Sequence, residues 1–149
     1  MSEAADEDAT VLLVEDNPGD VRLVEEAFRK VDSETALLVV SDGRAALDVM
    51  AGRGEYADTP QPDLVLLDLN LPRLDGGKLL AELKADPDVR RIPVVVLTSS
   101  QMPEDVVRAY DRHANAYLTK PVDPAEFIDA IEAIERFWLG TAELPGAPD

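Results

Sequence analysis

The amino-acid sequence predicts an α/β protein, a doubly wound parallel sheet with helices on both faces. Three observations carry that prediction. Short apolar runs alternate with amphipathic segments five times along the chain. The runs are apolar throughout rather than at every second position, which marks strands covered on both sides. The stretches between them are long enough to be the helical crossovers that parallel strands require, and such crossovers cover both faces of a sheet.

Thr10 to Val14 is the first strand. After it Val21, Val24, Phe28 and Val31 recur three or four residues apart among Arg22, Glu25, Glu26 and Arg29, the pattern of an amphipathic helix. The round repeats with Ala36 to Val40 and Arg44 to Ala51, then with Asp63 to Leu67 and, after a loop, Lys78 to Ala85. Pro93 to Leu97 precedes a helix from Pro103 to about His113, with Pro93 acceptable as a strand's first residue and Pro103 in a first helical turn. Ala116 to Leu118 is the fifth strand. In the last helix Asp123 is the expected N-cap, Pro124 the first helical residue and Glu126 an acidic partner, while Phe127, Ile128, Ile131, Ile134 and Trp138 form the buried stripe. Gly52 to Pro62 reads as a surface loop, residues 1–9 as a disordered acidic N-terminus and residues 140–149 as a loose tail. One domain, residues 10–139, remains.

At 149 residues such a domain buries about two thirds of the surface its unfolded chain exposes, enough to fold without a staple. The chain has no cysteine, so disulfides, thiol catalysis and thiolate metal sites are excluded, which fits a reducing, cytoplasmic setting. No stretch approaches the ~18 apolar residues of a membrane span, and Met1 to Asp8 is acidic, unlike a signal peptide. Thirty-one acids against 14 bases leave a net charge of −17. Scattered bases in a carboxylate majority argue against nucleic acid as a partner. Two readings of the acidity stay open: an ordinary solvated surface, or one built for very high salt, where the screening length falls to ~3 Å.

The chemistry concentrates at strand ends. Val11 to Val14 runs into Glu15-Asp16, and Leu64 to Leu67 runs into Asp68. In an open parallel sheet, ligands bind at the carboxyl ends of the strands. If the first and third strands are neighbours these acids meet, and two unit charges ~4 Å apart repel by about 4 kcal/mol at an effective dielectric of 20. Lys120 after the fifth strand supplies one cation, too little for three carboxylates. A hard dication such as Mg²⁺ fits an all-oxygen site, to which the Asn70 carbonyl adds a donor. Thr98 follows Leu97 at the same edge. Asp16 and Asp20 are also good helix caps; the joint pattern assigns Asp16 to the pocket and leaves Asp20 structural. His113, near a helix end, reads as a surface or dipole-capping residue rather than a ligand.

With these residues in place the chain resembles the receiver domain of two-component response regulators, over nearly its whole length. Glu15-Asp16 stands where that family has its acidic metal-binding pair, Asp68 where it has the phosphorylated aspartate, Thr98 its hydroxyl residue, Tyr117 its switch aromatic and Lys120-Pro121 its lysine and cis proline. The segment Asp68-Leu69-Asn70-Leu71-Pro72-Arg73-Leu74-Asp75-Gly76-Gly77 is similar to the family's loop after the third strand. Within the family, the strings Val14-Glu15-Asp16-Asn17-Pro18, Gly54-Glu55-Tyr56-Ala57-Asp58 and Leu67-Asp68-Leu69-Asn70-Leu71-Pro72, with Phe137-Trp138, look like the single-domain regulators paired with phytochrome-type sensor kinases.

The resemblance implies a flavodoxin-like strand order 2-1-3-4-5, which makes the first and third strands neighbours. It implies a protein phosphorylated on Asp68 by a sensor histidine kinase, with Mg²⁺ (or Mn²⁺) held by Asp16, Asp68, the Asn70 carbonyl and, through water, Glu15. Lys120 would grip the phosphoryl group, and Thr98 and Tyr117 would carry the change to the face of the fourth helix, fifth strand and fifth helix. Such a regulator is no enzyme beyond its own phosphorylation and dephosphorylation. With no output domain expected, it acts on a downstream target or a phosphotransfer protein; Phe137-Trp138 is either core or a homodimer contact. Two competing classes are a receiver-like binding platform that never takes phosphate, and a haloacid-dehalogenase-type phosphotransferase. The latter wants a second aspartate where this chain has Asn70.

Overall fold

The computed structural model describes residues 9–30, 35–69, 76–99 and 102–141. Five strands, β1 (Thr10–Val14), β2 (Ala36–Val40), β3 (Leu64–Asp68), β4 (Val94–Thr98) and β5 (Ala116–Thr119), alternate with five helices, α1 (Pro18–Lys30), α2 (Gly43–Ala51), α3 (Gly76–Ala85), α4 (Pro103–Asp111) and α5 (Pro124–Glu135). The strands form one parallel sheet in the order β2-β1-β3-β4-β5, the order that the resemblance implied.

Alternation along each strand divides the core in two. Leu12, Val14, Val65, Leu67, Val94 and Val96 point to the side covered by α2, α3 and Ala109 of α4. Val11, Leu13, Leu64, Leu66, Val95 and Leu97 point to the other, against Val24, Ala27 and Phe28 of α1 and Phe127, Ile128 and Ile131 of α5. β1, β3 and β4 are buried along their whole length, which is why they read as unbroken apolar runs. Each such leucine contributes about 1.5–3 kcal/mol by leaving water.

Several element ends differ from the sequence reading. β3 starts one residue later, because Asp63 bridges to β1: its N–H donates to the Thr10 carbonyl at 2.7 Å and its carboxylate accepts from the Thr10 N–H at 2.9 Å. α1 is capped by Asn17, whose Oδ1 accepts from the N–H groups of Gly19 (2.8 Å) and Asp20 (3.2 Å), with Pro18 as its first residue. Neither Asp16 nor Asp20 is the cap. α4 ends at Asp111, short of His113, which takes a left-handed conformation (φ 72°) while the Ala114 N–H reaches back to the Ala109 carbonyl at 3.0 Å. α5 starts as expected, with Asp123 accepting from the Ala125 N–H at 2.9 Å.

The loop after α2 contains one 3₁₀ turn, Gly54–Tyr56, and α5 continues as a wider π-type turn over Arg136–Thr141, two residues into the expected tail. There Trp138 packs against the α1/α5 side of the core while Phe137, edge-on to it at 5.2 Å, stays half exposed. Val31, residues 1–8 and residues 142–149 lie outside the described residues. Among the described residues no helix is long and apolar enough to cross a membrane.

Candidate phosphoacceptor site

Sheet register brings the acids together. Val14 pairs with Leu67, so Glu15 and Asp68 leave adjacent strands side by side. Asp68 pairs with Leu97 and Thr98 with Thr119, which puts Thr98 and Lys120 at the same carboxyl edge. Two backbone bonds hold that edge level: the Glu15 N–H donates to the Val40 carbonyl at 3.0 Å, and the Lys120 N–H to the Thr98 carbonyl at 2.7 Å. The Lys120-Pro121 peptide is trans, correcting the cis bond that the resemblance implied; trans is the intrinsically preferred isomer of an X–Pro bond.

Carboxylate oxygens of Glu15, Asp16 and Asp68 lie within 4.8 Å of one another, Glu15 and Asp68 buried and Asp16 exposed. The Lys120 ammonium donates to Glu15 Oε1 at 2.7 Å and to Asp20 Oδ2 at 2.8 Å, and lies 3.5 Å from Asp68 Oδ2. Asp20, which the sequence left as structural, therefore belongs to the pocket's ion pairs. Only folding could reveal that, since its partner lies 100 residues along the chain. Burial pushes the Glu15 carboxyl up to about 7, with the Asp68 charge adding to the rise and Lys120 opposing it. Burial alone would lower the Lys120 ammonium, but the hydrogen bonds it donates to Asp20 and Glu15 outweigh that and raise it.

One lysine thus faces Glu15, Asp20 and Asp68, with Asp16 alongside. The residues fit a hard dication: the donors are all oxygen, and an octahedral Mg²⁺ with bonds of ~2.1 Å spans ~4.2 Å between opposite ligands, close to the spacing present. The Asn70 carbonyl expected as a further ligand lies outside the described residues.

Thr98 and Tyr117 are divided from the acids by side-chain parity. Glu15, Asp68 and Lys120 fall in step with Leu13, Leu66 and Leu118, on the α1/α5 side. Thr98, fully buried, falls in step with Val94 and Val96, and Tyr117 packs on that same α2/α3/α4 side. Val96 pairs with Tyr117 and Thr98 with Thr119, so the two candidate switch residues sit diagonally on neighbouring strands.

A parallel sheet in this order, with clustered acids and a lysine at its carboxyl edge, defines an acidic pocket that fits a phosphoacceptor site, and the family model of the response regulator receiver domain matches residues 11–132. The chain belongs to that family. It is 44% identical to the response regulator Rcp1 of Synechocystis sp. over 147 residues, 99% of this chain and all of that protein. Two solved structures are also similar: the phosphorylated cyanobacterial phytochrome response regulator RcpA (TM-score 0.90, 44% identity) and the Mn²⁺-bound form of Rcp1 (TM-score 0.88, 45% identity). Each match covers 93% of this chain and 99% of the other. Within the family the chain therefore resembles the phytochrome-associated single-domain response regulators, as its sequence strings implied.

Proposed function

We propose that Asp68 accepts a phosphoryl group from the phosphohistidine of a sensor kinase, and that the protein signals through the resulting change on its α4/β5/α5 face. The observation that carries this reading is the convergence of Glu15, Asp16 and Asp68 within 4.8 Å beside Lys120. A carboxylate oxygen of Asp68 forms the new bond to phosphorus as the bond from phosphorus to the imidazole nitrogen breaks, and that nitrogen keeps the electron pair. A Mg²⁺ or Mn²⁺ ion held by Glu15, Asp16, Asp68 and the Asn70 carbonyl would supply the positive charge that lets anionic donor and carboxylate approach. That a Mn²⁺-bound form of the similar Rcp1 is known supports such an ion.

The acyl phosphate brings roughly two negative charges. Lys120 then turns to a phosphoryl oxygen, and Thr98, on the other side-chain parity at rest, is drawn inward across the carboxyl edge to donate its hydroxyl. Tyr117, half-buried beside Thr98 on the α4 side, follows, which shifts the population between two packings rather than making a new fold. The receiving face has the apolar surface for a protein partner: Met102, Val107 and Tyr110 at α4 and Val122 before α5 are large and exposed. A downstream target or phosphotransfer protein would dock there. Half-exposed Phe137 offers a second copy a contact at the end of α5. The domain limits 10–139, a cytoplasmic location and the absence of turnover on outside substrates belong to the same reading.

Asp68→Asn tests it. With Mg²⁺ and acetyl phosphate the wild-type protein gains one hydroxylamine-labile phosphoryl group by mass measurement, and the variant gains none. Labile phosphate on the variant would move the acceptor elsewhere. Rapid turnover of outside phosphoesters would favour an enzyme, and an inert wild type a binding platform.

A further inference from the structure

The Lys120 ammonium does not rest on the proposed acceptor. Its two short hydrogen bonds go to Glu15 at 2.7 Å and Asp20 at 2.8 Å, while Asp68 receives the longer contact of 3.5 Å. An ammonium has three N–H donors, so two are committed away from the phosphoryl position. Asp20 sits in the first turn of α1, where the helix N-terminus already favours a carboxylate without any lysine. Its side chain is a quarter exposed against a ninth for Lys120, so water can replace this lysine at Asp20 more easily than at buried Glu15.

We propose that Asp20 is a positioning residue, a holding partner that competes with the phosphoryl group for Lys120 and so sets how much phosphodonor the site needs. The proposal rests on the reading of Asp68 as phosphoacceptor. In the resting pocket Asp20 keeps the ammonium drawn toward α1, 2.8 Å from its own carboxylate and 3.5 Å from that of Asp68. On phosphorylation the ammonium exchanges its Asp20 bond for one to phosphate, and that exchange is a cost set by Asp20's charge rather than by its shape.

Two neutral variants, Asp20→Asn and Asp20→Ser, separate this from a structural role. Both should lower the acetyl phosphate concentration that half-saturates phosphorylation at saturating Mg²⁺, by about tenfold, the weight of one hydrogen bond to a charged group. Both should also bind Mg²⁺ more weakly, by about threefold in calorimetry on the unphosphorylated protein, since the pocket has lost an anion and Lys120 turns toward Glu15 and Asp68. Loss of structure would weaken both properties together, so the opposite signs are the signature. No change in donor requirement, a rise in it, or an effect in only one variant would overturn the proposal. If Asp68→Asn abolishes labelling and these variants behave as wild type, Asp20 alone has been misread; if Asp68→Asn still takes labile phosphate, the acceptor has.

Discussion

Gly76 shows how little room a single residue leaves beside the pocket. A Cβ built there would lie 2.5 Å from Leu69 Cα, 2.7 Å from the Asp68 carbonyl oxygen and 2.8 Å from that of Leu69. All three are backbone atoms, which cannot swing aside as a side chain end could. Gly76→Ala should therefore destabilise the fold by about 1–3 kcal/mol, the usual cost of overpacking. Because the displaced backbone belongs to the proposed acceptor, labelling by acetyl phosphate should also slow. Wild-type labelling with an unshifted melting temperature would mean that the loop yields without disturbing Asp68. At this scale Glu15, Asp16, Asp68 and Lys120 were legible in the sequence because each closes a strand or lies within two residues of its end, and strand ends of a parallel sheet share one edge. Asp20 was not legible. Its place on a helix reveals a face, but no local pattern couples it to a lysine 100 residues away. The choice of Asn17 as cap was equally hidden, since Asp16, Asn17 and Asp20 are all residue types that cap well.

Among the elements, the end of α4 carries the least expected feature. The sequence pattern continues to His113, but the chain leaves the helix at Asp111 and turns through His113 in the left-handed region. That conformation lets the Ala114 N–H close on the Ala109 carbonyl and buries Ala114. It costs a non-glycine residue roughly 1–2 kcal/mol. Glycine removes that strain but gives the unfolded chain more freedom, which returns ~0.5–1 kcal/mol. His113→Gly should accordingly gain up to about 1 kcal/mol, a rise of about 2–4 °C in melting temperature for a chain of this size. A melt equal to wild type or lower would show that the imidazole holds something that the backbone argument omits. Hydrophobic periodicity could not place this boundary, because a left-handed cap is normally announced by glycine or asparagine and position 113 carries a histidine. The same periodicity placed α5 correctly, where Asp123-Pro124 spells out the start.

For the whole molecule, the layer order followed from five apolar runs and their crossovers, and the neighbouring of β1 and β3 from the family resemblance; charge is what remains to be explained. The surplus of 31 acids over 14 bases is not neutralised by pairing. Besides those of Lys120, ion pairs among the described residues include Lys30 with Glu132, Arg53 with Asp48, Arg108 with Asp105 and Arg136 with Glu132, and in each of these the basic side chain is more than half exposed. Such pairs are worth about 0–1 kcal/mol, too little to offset repulsion summed over a net charge of −17. Raising KCl from ~0.1 M to ~1 M shortens the screening length from ~10 Å to ~3 Å, which removes most of that repulsion and leaves the buried sheet untouched. Melting temperature should therefore climb with KCl. Screening alone is nearly complete by ~1 M, so an ordinary solvated surface gives a plateau there, whereas a surface built for concentrated salt continues to gain stability above it. We expect the continued gain, because lysine is confined to Lys30, Lys78, Lys84 and Lys120 in a chain otherwise crowded with carboxylates. Equal melting temperatures at low and molar salt would remove the high-salt reading and show that the carboxylates are spaced widely enough not to oppose folding.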